Sequence, residues 1–288
     1  MDIKLSTIMV DHKVKLKNKN WTFLKHFVLI TWCLTTIFPI LWVLVNAFKG
    51  NTQIYGEPFS LPNPIVLKNF PQAIKGIQLS LTLTNSLIYA IVSCTVVVLL
   101  SAMVAFYLSK ISRSNSLYMY FIIGMMIPVQ AVLIPTFINI RNLNLLNSRF
   151  GIILIYIATN LAFSIFILTG FMKKGMPDDI IEAAIIDGCG VLETFFLIVL
   201  PISKAGIATV CTFVFLGIWN EFLFALLMLS SPSLRTLNLS CYNLRGQYSS
   251  DQGLMAAGII ILIMPAIIIY VVFQEQVVKG LTAGAIKG

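Results

Sequence analysis

Charge is scarce in this sequence. Only 11% of its 288 residues are Asp, Glu, Lys or Arg, where a soluble domain carries roughly 25%. So little charge cannot cover a water-facing surface, which excludes a soluble enzyme or binding domain and makes lipid the main solvent. Histidine is scarcer still: His12 and His26 both lie near the N-terminus. The five cysteines, Cys33, Cys94, Cys189, Cys211 and Cys241, form no CxxC pair and no Cys/His cluster, so no metal site is expected. Only Cys241 is expected to face outside, which leaves it no disulfide partner. No G-x4-G-K-[ST] sequence occurs, so the chain has no P-loop of its own, and no G-x-S-x-G or H-E-x-x-H occurs either. The alternating ten-residue pattern of a membrane barrel is missing as well.

What the chain has is apolar length. Hydrophobic residues make up 58% of it, and its mean hydropathy is +0.91. A spanning helix needs about 20 apolar residues. Charged residues fence off six such stretches, 27–48, 85–108, 117–140, 150–172, 205–229 and 254–273. The expected fold is therefore all-α integral membrane with six transmembrane helices. The net charge of +9 does not point to nucleic acid, because the basic residues lie between and beside the apolar stretches without interleaved aromatics. They read as membrane-orienting charge.

An even number of spans places both termini on one side. Lys4, Lys13, Lys15, Lys17, Lys19 and Lys25 make the N-terminus cytoplasmic, and the segments then assigned inside hold 13 of the 20 Lys/Arg. Lys49, Lys68, Lys75, Arg141 and Arg149 fall outside on this N-in/C-in arrangement. The expected parts are a basic segment 1–26, a spanning domain 27–275 and a cytoplasmic tail 276–288. The first apolar stretch is too long for a signal peptide and lacks a small-residue cleavage site, so it reads as a retained span.

One cytoplasmic loop, 173–204, holds five of the eleven acidic residues: Asp178, Asp179, Glu182, Asp187 and Glu193. Pro177 and Asp178 form a helix start, and Asp179 and Glu182 have capping-box spacing. Ile181, Ala184, Ile185 and Gly188 fall on one small, apolar stripe. Gly188 stops this helix by adopting positive φ. A second, apolar helix is expected over 191–200, ended by Pro201.

Glu182-Ala183-Ala184, Gly188, Ile198, Leu200 and Pro201 match every fixed position of EAA-x3-G-x9-I-x-L-P, the loop motif of permeases in binding-protein-dependent ABC importers. Asn85-Ser86-Leu87, the bracketed Ile127-Pro128-Val129-Gln130 and Ile134-Pro135, and Trp219-Asn220-Glu221-Phe222 also resemble that family, in its carbohydrate-uptake branch. The tail Gly280-Leu281-Thr282-Ala283-Gly284-Ala285-Ile286-Lys287-Gly288 is similar to the end of the smaller permease subunits of maltose importers. The resemblance covers about 27–288. It implies a multi-pass subunit of the bacterial cell membrane, paired with a second homologous permease and two cytoplasmic ATPase subunits that bind ATP and Mg. An extracytoplasmic binding protein would deliver a sugar or oligosaccharide, and this chain would hold no cofactor and perform no catalysis.

The resemblance also implies roles. Glu182, Ala183, Ala184, Asp187, Gly188, Ile198, Leu200 and Pro201 would couple the ATPase to the channel, with Glu182 meeting a basic partner. The bland alternative is that Glu182 caps its own helix. Gly280, Leu281, Thr282, Ala283 and Gly284 would reach the ATPase. Glu221 is the one ionisable side chain well inside an expected span, and such charges face polar cavities or partners; it lines the path or makes a structural hydrogen bond. Gln130, between the helix-disturbing Pro128 and Pro135, Asn85 and Asn220 are further path candidates, each with the same structural alternative. The outer segments 49–77 and 230–253, with Tyr55, Pro58, Pro62, Pro64, Arg245, Tyr248 and Asp251, would receive the binding protein or are ordinary solvated loop. The main rival, an ion-gradient-driven secondary transporter, normally needs several embedded charges and an internal repeat. A membrane enzyme lacks a nucleophile–base pair or metal cluster.

Overall fold

The apolar stretches and the proline and glycine positions between them decide where helices run and where they stop. A computed structural model describes residues 2–112, 114–245 and 251–285; for 2–20, 272, 273 and 275–285 the description is of backbone only. The described residues contain helices and no strand. In chain order the helices are α1 (Asp2–Asn46), α2 (Asn51–Gly56), α3 (Asn69–Ile77), α4 (Leu79–Phe106), α5 (Asn115–Met126), α6 (Leu133–Asn142) and α7 (Arg149–Gly175). Then follow α8 (Asp178–Ile186), α9 (Val191–Thr194), α10 (Leu200–Ile202), α11 (Lys204–Trp219), α12 (Leu223–Met228), α13 (Leu237–Tyr242) and α14 (Gln252–Ala285). A π-helical turn, Tyr107–Ile111, closes α4, and another, Phe195–Val199, joins α9 to α10.

Four helices are long and apolar enough to cross a membrane: Trp21–Asn46, Leu79–Ile111, Arg149–Gly175 and Gln252–Val271. A fifth is counted if Val191–Ile202 and Lys204–Trp219, bent by 78° to one another, act as one span. Two expected spans are not single helices. Stretch 117–140 is divided between α5 and α6 because Ile127 turns extended before Pro128 (φ −72°, ψ 118°), the conformation forced on a residue preceding proline. Stretch 205–229 is divided at Asn220–Phe222 between α11 and α12. The expected tail continues the helix of the last stretch as far as Ala285.

The chain forms two compact units. The first comprises residues 1–71 and 251–260. Beyond α1 its chain is pinned by a buried cation: the Lys49 side chain is fully enclosed, and its Nζ donates to the carbonyl oxygens of Glu57 and Pro58, each at 3.2 Å. Trp42 Nε1 donates to the same Pro58 oxygen at 3.0 Å. Asn69 donates to the carbonyls of Ala47 and Lys49. The Trp42, Lys49 and Asn69 side chains thus find backbone acceptors, as burial requires.

The second unit, 72–250 and 261–288, is organised around α4, α7 and α11. Lipid gives helices no hydrophobic reason to associate, so small residues that let backbones approach do the work. The buried face of α4 follows that rule: Ala90, Ser93, Cys94, Val97, Ser101, Ala102 and Ala105 recur at helical spacing. Its outward residues Ile91, Val92, Leu99, Leu100 and Met103 are exposed, as a lipid-facing surface should be. Gly206 of α11 touches α7, where an added Cβ would lie 2.8 Å from the Phe171 ring. Tyr89, Tyr156, Leu168, Val210 and Val214 fill the space between. All five cysteines are free thiols.

Candidate functional site

The loop that carries the EAA pattern begins where α7 ends at Gly175. Pro177 occupies the N-cap of α8 with φ −58° and ψ 145°, and Asp178 and Asp179 fill the first turn, where the helix dipole favours negative charge. No side chain caps this end, so the expected Asp179/Glu182 capping box does not form. Proline already supplies the turn geometry there. Lys110, from the π-turn of α4, donates to Asp178 Oδ1 at 2.8 Å and to the Met176 carbonyl.

The C-terminus of α8 follows the expected route in detail. Asp187 is the C-cap and Gly188 has φ +83°. Gly188 N–H donates to Ile185 O at 3.0 Å, and Cys189 N–H donates to Ala184 O at 3.0 Å. This paired pattern is a Schellman turn, which needs a residue at ease in the left-handed region.

The expected apolar stripe, by contrast, splits. Ile181 and Ala184 are buried within the chain, whereas Glu182, Ala183 and Asp187 are exposed. Ile185 is 64% and Ile186 is 84% exposed. Ala184 therefore does not belong to a free face: it is the anchor, and Ile186, the more exposed of the Ile185–Ile186 pair, is the most open large apolar residue of α8. Past Gly188, the backbone N–H of Gly190 donates to Glu193 Oε2 at 2.9 Å, closing the start of α9. Phe195 is buried against Phe106 of α4, with ring centroids 6.0 Å apart. Ile198 and Leu200 are half-buried and Pro201 is exposed. Pro201 does not end the second helix. It sits in the first turn of α10, where a missing N–H costs little, and the chain bends after Ile202.

The two broken stretches share a second feature. A cavity of about 220 Å³ is lined by Val129, between α5 and α6, by Leu133 of α6, by Tyr156, Thr159 and Asn160 of α7, and by Ile218, Glu221 and Phe224 around the break before α12. Glu221 explains that break. Its Oε1 accepts from Phe224 N–H at 2.6 Å, and its Oε2 accepts from Ala225 N–H at 3.2 Å and from the Tyr156 hydroxyl at 2.9 Å. The carboxylate thus satisfies backbone donors that the start of α12 would otherwise leave unpaired. Glu221 therefore makes a structural hydrogen-bond set and also lines a cavity.

The other path candidates part company. Asn85 is fully buried; its amide donates to the carbonyls of Ser233 and Arg235, and its oxygen accepts from Arg149. With every polar atom engaged, Asn85 is a tie between α4 and the segment before α13 rather than a wall of the cavity. Ser86 and Tyr89 act alike, Ser86 accepting from Leu237 N–H and Tyr89 donating to Leu234 O. Gln130 is exposed in the link between α5 and α6. Asn220 is exposed, and its amide donates to Leu216 O. Sequence reasoning passed over Tyr156, Thr159 and Asn160. Their signal was present: three polar-tipped residues at i, i+3 and i+4 in an apolar span share one helix face.

Gly280, Leu281, Thr282, Ala283 and Gly284 follow the helical backbone of α14, and their side chains lie outside the described residues, as does Tyr248. Among the described residues no group of three His, Cys, Asp or Glu is placed to hold a metal ion.

Residues 97–282 match the family described as binding-protein-dependent transport system inner membrane component. The chain is 32% identical over 274 residues to the diacetylchitobiose uptake system permease protein of Streptomyces coelicolor, covering 94% of this chain and 90% of that protein. It is 31% identical over 270 residues to the multiple sugar-binding transport system permease protein of Streptococcus mutans, covering 92% and 97%. Among solved structures it shares its fold with a chain of a bacterial ABC transporter involved in the import of the acidic polysaccharide alginate, with a TM-score of 0.78 over 90% of this chain and 97% of that one, at 21% identity. The apolar helices, the EAA loop and these likenesses agree, and the chain belongs to the inner-membrane permease components of binding-protein-dependent transport systems.

Proposed function

We propose that this chain is one permease subunit of an ATP-binding-cassette importer that translocates a sugar or oligosaccharide handed over by an extracytoplasmic binding protein. The observation that carries this reading is α8: a short helix held at both ends, with Glu182, Ala183 and Ile186 of the family's own motif on its exposed side. At nine residues it is too short to be stable alone. Anchorage by Ile181 and Ala184 leaves its outer face free to enter a cleft of an ATPase subunit. The relatives named above, described as taking up diacetylchitobiose and multiple sugars, support the substrate class.

On this reading six spans place both termini in the cytoplasm, with α5/α6 and α11/α12 each counted as one broken span. Segment 1–26 and tail 276–288 then lie inside, with Gly280–Gly284 of the tail directed at the ATPase. A second, homologous permease completes the path. ATP and Mg are bound by two separate ATPase subunits, so this chain has no catalytic step. The cavity beside Glu221 forms part of the wall that the sugar passes, because broken helices at membrane depth are tolerated where they line a cavity.

The test is purification of this chain with its co-expressed partners in lipid nanodiscs. ATP hydrolysis is measured with binding protein loaded with chitobiose, maltotriose or raffinose in turn. Stimulation by one of these supports the reading. A chain that co-purifies with no ATPase and transports only with an imposed ion gradient would overturn it.

A further inference from the structure

We propose that Lys110 is the positioning residue of the coupling helix, clamping the first turn of α8 to the inner end of α4 so that the two move together. The inference rests on the coupling reading of α8 given above.

Lys110 lies in the π-turn that closes α4. A π-turn carries one residue more than an α-turn and so re-aims the side chains that follow. The Lys110 side chain is only 4% exposed. An enclosed ammonium needs partners, because its desolvation is otherwise uncompensated. Both of its partners come from the start of α8, Asp178 Oδ1 on one side of the N-cap proline and the Met176 carbonyl on the other. The grip is therefore on the turn itself and not merely on one flexible side chain. Pro177 between them has its φ fixed by its ring. Another basic residue near this turn is engaged elsewhere: Lys173 Nζ lies 4.7 Å from the Tyr118 ring centroid.

Exposure is unequal across the pair, 4% for Lys110 and 46% for Asp178, and this selects the informative variant. Losing Asp178 strands an enclosed charge. Losing Lys110 leaves Asp178 half-exposed at a helix N-terminus, where the dipole favours its charge and its remaining interaction is kept. Lys110→Met therefore removes the Lys110 grip while α8 keeps its own structure. The helix α4 packs along α7 and α11, so a push on α8 that reaches Lys110 reaches the centre of the unit.

The experiment is hydrogen exchange on the assembled complex in nanodiscs, with and without Mg·ATP plus vanadate to trap the ATPase. In the natural protein trapping should change exchange in both 178–188 and 104–112. In Lys110→Met the response of 178–188 should persist and that of 104–112 should be lost. Lys110→Arg, which keeps a cationic donor for both oxygens, should retain both. A full response at 104–112 in Lys110→Met overturns the proposal. Should Lys110→Met fail to assemble, Lys110→Arg decides: assembly with both responses supports the clamp, and assembly with the response of 104–112 lost overturns it, as does failure to assemble. Absence of any response at 178–188 in the natural protein is a different result, which refutes the coupling reading itself and the clamp with it.

Discussion

Replacing Gly188 with valine isolates a backbone effect from a packing effect. An ideal Cβ at Gly188 meets nothing within 4 Å, so no neighbour is displaced. The cost comes from φ +83°. An L-residue in the left-handed region loses about 1–2 kcal/mol, and a β-branched one is a clear outlier there. The alternative is to abandon the turn, which breaks the bonds from Gly188 N–H to Ile185 O and from Cys189 N–H to Ala184 O, each worth about 1 kcal/mol. Either way the ordered loop is depleted by a factor of roughly 5–30, while the domain, stable by some 5–15 kcal/mol, still folds and inserts. Gly188→Asn should be close to neutral, since asparagine tolerates the left-handed region. The assay scores membrane yield, ATPase co-purification and sugar-stimulated hydrolysis side by side. Valine should lose the last two and keep the first. Asparagine behaving like valine would show that φ is not what Gly188 supplies, and valine behaving like glycine would remove the loop from coupling.

The two faces of α8 should separate by a similar comparison. Ala184→Asp buries an unpaired carboxylate and should lower membrane yield or thermal stability, whereas Ile186→Asp, at an 84% exposed site, should leave yield unchanged and detach the ATPase; equal effects on yield would refute the assignment of faces. Glu221→Ala removes a cap worth about 1 kcal/mol and strands the buried Tyr156 hydroxyl at about 1–3 kcal/mol, so thermal unfolding should fall by roughly 2–4 kcal/mol equivalent. Glu221→Gln should be far milder in stability; lost sugar uptake in that variant would assign the charge to the path, and normal uptake would leave Glu221 a cap. Asn85→Ala should destabilise by about 1–3 kcal/mol through the unpaired carbonyls it leaves and preserve stimulated hydrolysis in the surviving protein; loss of hydrolysis at unchanged stability would return Asn85 to the path.

Much of this architecture was legible because the relevant physics is local. Pro128, Pro177 and Gly188 act through their own dihedrals, so the break after α5, the start of α8 and its end could be read from single residues. The loop pattern around Glu182 carried the family for the same reason, being a spacing along one chain segment. What escaped was anything decided by a distant partner. Asn85 and Glu221 look alike in sequence, each a polar residue in an apolar run. Asn85 finds its carbonyls 148 and 150 residues away, and Glu221 finds Tyr156 65 residues back. Periodicity grouped Ile181, Ala184, Ile185 and Gly188 on one stripe but could not say which part faces inward, since α8 is apolar on two sides. Lys110 gave no signal at all, because a lone lysine after an apolar run reads as a membrane-edge charge.

The length of α4 acquires a meaning from what its two ends hold. Near its N-terminal end Asn85, Ser86 and Tyr89 grasp the segment 233–237; in the π-turn at its C-terminal end Lys110 grasps α8. A helix turns by about 100° per residue, so these two grips have a fixed phase as well as a fixed separation. One residue inserted between Tyr89 and Phe106 would turn one grip a quarter of the way round from its partners, while each end, taken singly, kept its own sequence. The π-turn at Tyr107–Ile111 amounts to such an insertion already absorbed. It sets the relative timing of the two ends, much as keying a shaft fixes the angle between the wheels mounted on it.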